Sequence, residues 1–405
     1  MKRPELWLCL AIGLYLLSLV PIALGPLQLG DWDSSEYLAM AAVKADGHPF
    51  PQTRLPVGYP ALVAAMDRGG VAVQAGFVVL NLIGLVVGMA AFVSLMRGQL
   101  SIVEILAICL ATLLYRTTFE LAAVPQPDLL FFGVSMLALA CFAKPSRGAF
   151  IVGLALCAVA VSLRSIGLAL IPATAWAASH SNRRAERGCL AAAVWAATLS
   201  MLVKWEGYVG GFAKPYYRSL GVAQTVWTDA AFRFDEVADL VTNTHLPLWH
   251  SLQVTAWICV LSAAFCLLLL LGLWKWRRSL AAVYFASYMA ILFVWPALMP
   301  RFWVPVVPLA LAFAWVGGKS IAKKFAGPPQ VLFAALAACL LWFSALGLYG
   351  IDRGIEFSRG GAAALLATQR RAAQITTAEL AALNPPDLAL MPNVGLAANR
   401  YGKSQ

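Results

Sequence analysis

Apolar runs of about 20 residues recur along most of this chain, each long enough to cross a hydrocarbon core about 30 Å thick. Inside such a core every backbone N–H and C=O must find a partner within the protein. That leaves α-helices or a closed β-barrel. Barrel strands would show segments of about 10 residues with alternating hydrophobicity, and the sequence has none. The expectation is an all-α polytopic membrane protein. Composition agrees: 61% of the 405 residues are hydrophobic and 12% are charged, against about 25% charged in soluble domains.

A hydropathy reading gives about eleven spans. They lie near 6–27, 70–96, 101–115, 127–143, 148–163, 165–179, 189–203, 252–273, 279–299, 303–317 and 330–349. Met1-Lys2-Arg3 before the first run resembles a signal peptide. The run is too long for a signal core and has no clear small-residue cleavage site, so it is read as a retained span. If the spans alternate, one set of connections holds Lys2, Arg3, Arg97, Lys144, Arg147, Arg183, Arg184, Arg187, Lys275, Arg277, Arg278, Lys319, Lys323 and Lys324, and is nearly free of acids. The positive-inside rule makes that set cytoplasmic. The N-terminus is then cytoplasmic and the C-terminus external. Residues 1–349 form a transmembrane domain with external loops 28–69 and 204–251, and 350–405 form a short external tail.

The net charge of +11 does not indicate a nucleic-acid partner, because the basic residues fall in short clusters between apolar runs. The partner it implies is the bilayer. All eight cysteines lie in apolar runs and no Cys-x-x-Cys occurs, so neither a disulfide framework nor a thiolate metal site is indicated. The four histidines show no ligand spacing. No cofactor is required by the sequence. A divalent ion, Mg²⁺ or Mn²⁺, held by Asp33, Asp128 and a lipid phosphate is compatible with it.

The external set of loops carries the chemistry. The stretch Asp31-Trp32-Asp33-Ser34-Ser35-Glu36-Tyr37 is the densest acidic cluster in an acid-poor chain. Tyr37, Leu38, Ala41 and Ala42 fall at helical spacing, which places Asp33 and Ser34 at a helix start as N-cap candidates. Gly47-His48-Pro49 ends that helix. A second loop is read over 116–126, with Asp128 opening the next span. In the long loop an amphipathic helix is read from Thr228 to Thr242. Fixed cations accompany the acids: Arg54, Arg164, Lys204, Lys214, Arg218 and Arg301. A tuned carboxylate can take a hydroxyl proton, and cations can hold a phosphate as its charge develops. One reaction uses both, the attack of an acceptor hydroxyl on a sugar linked to a membrane lipid through phosphate.

The motif Asp33-x-x-x-Tyr37-x-x-x-Ala41, followed by Arg54-x-Pro56-x-x-Tyr59-Pro60, resembles the first external loop of the GT-C glycosyltransferases that use polyprenyl-phosphate sugars. These include protein O-mannosyltransferases and bacterial transferases that add aminoarabinose to lipid A. Pro127-Asp128-Leu129-Leu130, Leu163-Arg164-Ser165-Ile166-Gly167-Leu168 and Arg301-Phe302-x-x-Pro305-x-x-Pro308 resemble later features in the same order. The resemblance implies an inverting transfer to a lipid, glycan or surface-polymer hydroxyl, with Asp33 as base. Asp128, Glu36 and Asp31 are candidate supporting carboxylates, because Ser34 stands where the commonest pattern has a second acid. Arg54, Arg164, Arg301, Lys204, Lys214 and Arg218 are candidates for donor phosphate, and Tyr37 and Tyr59 for positioning substrate. A bacterial inner membrane with the site facing outward is the expected location. The rival readings are a transporter or flippase of lipid-linked saccharides, for which Glu104 is the one acid well inside a span, and a non-catalytic scaffold. The plain alternatives for the residues are helix capping for Asp33 and snorkelling to lipid phosphate for Arg164 and Arg301.

Overall fold

The apolar runs become helices wherever they can be followed. The computed structural model describes residues 32–50, 55–203, 222–243, 252–293, 300–324 and 341–349, with positions 13, 15, 17–20, 334 and 338. Among these there is no strand, only one isolated bridge between Arg97 and Leu100. In chain order the helices are α1 (Trp32–Ala45), α2 (Gly58–Arg68), α3 (Val73–Met96), α4 (Ile102–Leu114), α5 (Arg116–Ala123), α6 (Asp128–Phe142) and α7 (Arg147–Leu163). After them come α8 (Leu170–Ser179), α9 (Arg184–Val203), α10 (Val222–Thr242), α11 (Leu252–Lys275), α12 (Leu280–Phe293) and α13 (Val307–Lys324). Two 3-10 turns, Ser165–Ala169 and Pro300–Val306, lead into α8 and α13.

Among the described residues, three helical stretches are by themselves long and apolar enough to cross a bilayer: Val73–Met96, Ala256–Lys275 and Pro300–Lys324. The pair α4–α5, bent by 57°, makes a fourth if it is one broken span. The helices Asp128–Phe142, Arg147–Leu163, Ser165–Ser179 and Leu280–Phe293 are apolar but shorter.

Local chemistry sets several of the boundaries. Ser101 caps α4 in a reciprocal box with Glu104, which satisfies two of the first-turn N–H groups. Ser146 accepts from Ala149 N at the start of α7. Gly98, at φ 88°, supplies the left-handed residue of the turn between α3 and α4.

The stretch 116–126 departs from its reading as a loop, because α5 occupies most of it. The break before α5 frees backbone groups that must be re-satisfied within the protein. Asn243 does this: its Oδ1 accepts from Arg116 N at 2.8 Å and its Nδ2 donates to Leu114 O at 2.9 Å. Helix α10 also begins six residues earlier than the amphipathic pattern indicated.

Helices α3 and α6 pack backbone to backbone. A Cβ on Gly84 would lie 2.4 Å from Leu129 O, and one on Gly133 would lie 2.5 Å from Gly84 O. Small residues at such crossings let helices approach closely where no aqueous driving force exists between them. Gly84→Ala is therefore expected to destabilise the protein by about 1–3 kcal/mol through overpacking. Gly148→Ala, with nothing within 4 Å, is expected to stabilise slightly through helix propensity, by at most about 1 kcal/mol. Thermal unfolding of the detergent-purified variants reads both; shifts of the same sign and size would contradict the packing argument.

The antiparallel pair α6 and α7 sets the long axis. Asp128 opens α6 and Lys144 follows its end; Arg147 opens α7 and Arg164 caps its end. Asp128 and Arg164 thus meet at one end of the bundle, and the basic turns gather at the other. Glu104 belongs to the basic end, where it accepts from Lys319 Nζ at 2.6 Å and Trp315 Nε1 at 2.7 Å.

Candidate active site

The 3-10 turn Pro300–Val306 is the centre of the acidic end, and helices far apart in sequence hold it from several sides. Arg301 donates to the Asp33 carboxylate of α1. Phe302 offers its carbonyl to Tyr288 Oη of α12 at 2.6 Å. Trp303 Nε1 donates to Glu236 of α10 at 2.9 Å. The Phe302 ring lies under two cations, with Arg164 Cζ 4.9 Å and Arg301 Cζ 5.4 Å from its centroid. An aromatic face attracts guanidinium groups and fixes their planes.

Arg164 reaches this ring because it is the extended C-cap of α7, with φ −147° and ψ 130°. Its Nη1 pairs with Asp128 Oδ2 at 3.0 Å, the side chains being 10% and 1% exposed. Asp128 sits in the first turn of α6, where the helix dipole also favours its charge. Two carboxylate–guanidinium pairs, Asp33–Arg301 and Asp128–Arg164, therefore share one aromatic ring. Both arginines are buried and paired within the protein, so neither snorkels to solvent.

Asp33 and Ser34 lie inside the first turn of α1 rather than at its N-cap. The Asp33 side chain, 13% exposed, is turned to Arg301. Ser34 is buried and accepts from Gln126 Nε2 at 2.8 Å, which ties α1 to the turn just before Asp128. Tyr37, one turn on, is buried and meets Tyr59 edge to face at 5.4 Å. Gly58 lets the start of α2 approach the end of α7, since a Cβ there would stand 2.6 Å from Ser162 O. Burial pushes the Tyr37 phenol well above its ordinary range; Arg164 opposes this, Asp33 and Asp128 add to it, and Arg301 opposes it. Tyr37 is thus a neutral hydroxyl facing both ion pairs. Glu36 is buried on the same helix.

Of the residues singled out from sequence, Asp33, Tyr37, Tyr59, Asp128, Arg164 and Arg301 come together here. Glu36 shares α1 with Asp33. Asp31, Arg54, Lys204, Lys214 and Arg218 lie outside the described residues, as does the tail 350–405. Sequence reasoning missed Glu236, Arg233 and Asp229. They are buried on α10, at 0%, 2% and 1% exposure, and Arg233 pairs with Glu236 at 3.0 Å. Their spacing of i, i+4 and i+7 puts them on one helix face. That pattern lies within the segment read only as an amphipathic helix from Thr228 to Thr242.

No protein-family model matches the chain, and no curated protein matches it significantly. Among solved structures, crystal structures of ArnT from Cupriavidus metallidurans are similar to it, one in the apo state and one bound to undecaprenyl phosphate. Both are 16% identical and align over 99% of this chain and 78% of their own, with TM-scores of 0.48 and 0.49. At these scores the likeness carries no inference about the chemistry of this chain.

Proposed function

We propose that this chain is a multi-pass membrane glycosyltransferase of the GT-C type that moves a sugar from a polyprenyl-phosphate donor to an acceptor hydroxyl, with inversion. The observation that carries the reading is the double pair around Phe302: a partly accessible carboxylate, Asp33, beside two guanidiniums held on one ring. The ordered motifs of the first loop and later spans support the same reading, as does their meeting at one end of the bundle. The positive-inside argument favours that end facing outside the cell, and the motif resemblance favours a bacterial inner membrane.

In this reading the donor phosphate approaches Arg301 and Arg164 and competes with the carboxylates for their donors. Arg301, drawn to the phosphate, releases Asp33. Asp33 then takes the proton of the acceptor hydroxyl as that oxygen forms its bond to the anomeric carbon. The bond from that carbon to the phosphate oxygen breaks, and the electron pair leaves with polyprenyl phosphate. Arginine suits the phosphate role because its planar fork binds two oxygens at once. Asp33 and Asp128 are the residues that would hold a Mg²⁺ or Mn²⁺ ion, which would supply positive charge to the phosphate; each is paired with a guanidinium, and in this reading the arginines supply that charge. Tyr37 and Tyr59, buried and packed edge to face, act on substrate position by fixing the helix that carries Asp33.

Glu104 is the acid on which a transport reading depended, and it is held as a helix cap and ion pair by Ser101 and Lys319. That leaves the transport reading without a specific support.

The test is reconstitution of the purified protein with polyprenyl-phosphate sugars and cell-envelope acceptors. Release of polyprenyl phosphate coupled to acceptor glycosylation is expected; no release with any donor would sink the proposal. Arg301→Ala is expected to raise the donor KM and lower kcat together, costing about 10²-fold or more in kcat/KM through a lost charge-assisted contact in a dry site. Steady-state kinetics with a short-chain donor read this, and an unchanged kcat/KM would remove Arg301 from the phosphate role.

A further inference from the structure

At the basic end of the bundle a cleft of about 780 Å³ opens between the turns. Four cations line it, Lys144, Arg147, Arg183 and Arg187, beside Trp176 and His180. Its lining contains no carboxylate. Glu186 approaches from the rim and pairs with Arg147 at 2.7 Å and Arg183 at 3.5 Å, which leaves the cleft strongly positive.

Arg187 is the unusual member. It is 6% exposed, its Cζ lies 4.9 Å from the Phe150 centroid, and it donates through Nη2 to the Pro145 carbonyl. Its buried Nε has no hydrogen-bond partner, and among the described residues no carboxylate pairs with it. A buried cation with an unused donor is costly. An anion in the cleft would balance the charge of that cation. Two helix N-termini open on the same space, α7 at Ser146 and α12 at Ser279, and neither carries an acid in its first turn. Their dipoles favour an anion too, and Ser146 and Ser279 each cap one N–H of their own helix. Trp176 and His180 stack face to face with ring centroids 4.1 Å apart.

We propose that this cleft is a second binding site, for a phosphate group, separate from the site around Phe302. The two stand at opposite ends of α7, whose 17 residues span about 25 Å. The inference does not depend on the transferase reading. The phosphate arrives either on a soluble ester or as a phospholipid headgroup.

The experiment uses the full chain in phosphatidylcholine nanodiscs. One arm titrates inorganic phosphate against chloride at matched ionic strength and follows the unfolding midpoint. The other adds phosphatidylglycerol and counts retained lipid by native mass spectrometry. Saturable one-to-one binding is expected in at least one arm, and which arm responds identifies the source. Arg187→Gln and Lys144→Gln should each weaken it about tenfold or more, the loss of one charge-assisted contact. Lys144 is exposed, so its variant decides the matter if Arg187→Gln does not fold. Arg277→Gln, at the same end but outside the cleft, should bind as wild type does. The proposal is overturned if neither arm saturates, or if Arg277→Gln weakens binding as much as the two cleft variants do.

Discussion

Asp33→Asn is expected to abolish sugar transfer while leaving donor binding intact. The amide keeps the size of the carboxylate but cannot accept the hydroxyl proton, and a positioned general base contributes about 10²–10⁴-fold. Removing the charge also releases Arg301 from its partner. Donor affinity should therefore hold or rise as kcat falls. This split separates a base from a structural acid, since a merely structural loss would weaken binding and folding along with turnover. The measurement is single-turnover release of polyprenyl phosphate beside equilibrium donor binding, for wild type and variant. Equal release from both would remove Asp33 from the chemistry.

Breaking the other pair should show mainly as lost stability. Asp128 is 1% exposed in its side chain and its partner Arg164 10%, so Asp128→Ala strands a guanidinium over Phe302 with its carboxylate gone. Truncating one member of such a buried pair costs about 3–5 kcal/mol. Replacing both, Asp128→Ala with Arg164→Met, should recover much of that, because no uncompensated charge is left. A double-mutant cycle by thermal or denaturant unfolding in detergent checks it. A single-variant loss below about 0.5 kcal/mol, the level of an ordinary surface change, would show that the pair is not the buried strut described here. Asp33 should behave differently: it is the more accessible carboxylate, and its substitution should cost activity before it costs stability.

The helical character was legible because it rests on a local quantity. Hydrophobic runs and their spacing dictate helix wherever backbone groups must be satisfied without water. The end of α1 at Gly47, φ 89°, follows from glycine's freedom alone. The bend before α5 was not legible. Arg116-Thr117-Thr118 reads as loop, and it is helical because Asn243, more than a hundred residues on, takes up the backbone groups at the break. The roles of Glu236 and Arg233 were hidden for a related reason. Charges on one face of an amphipathic helix ordinarily meet water, and only the neighbouring turn with Trp303 makes that face an interior one.

By itself the sequence determined the helical, membrane-type character seen among the described residues, the segregation of basic turns from acidic loops, and a set of twelve chemically capable residues, from which it could not single out the six that meet: Asp33, Asp128, Arg164, Arg301, Tyr37 and Tyr59. These are matters of composition and spacing. Tertiary structure alone decided the pairing. Asp33 and Arg301 are 268 positions apart and Asp128 and Arg164 are 36 apart; nothing in their spacing says which cation takes which carboxylate. Helix packing decides it, by bringing Asp33 of α1 to Arg301 and the cap of α7 to Asp128 and the Phe302 ring, because ion pairs and cation–π contacts act only over a few ångströms.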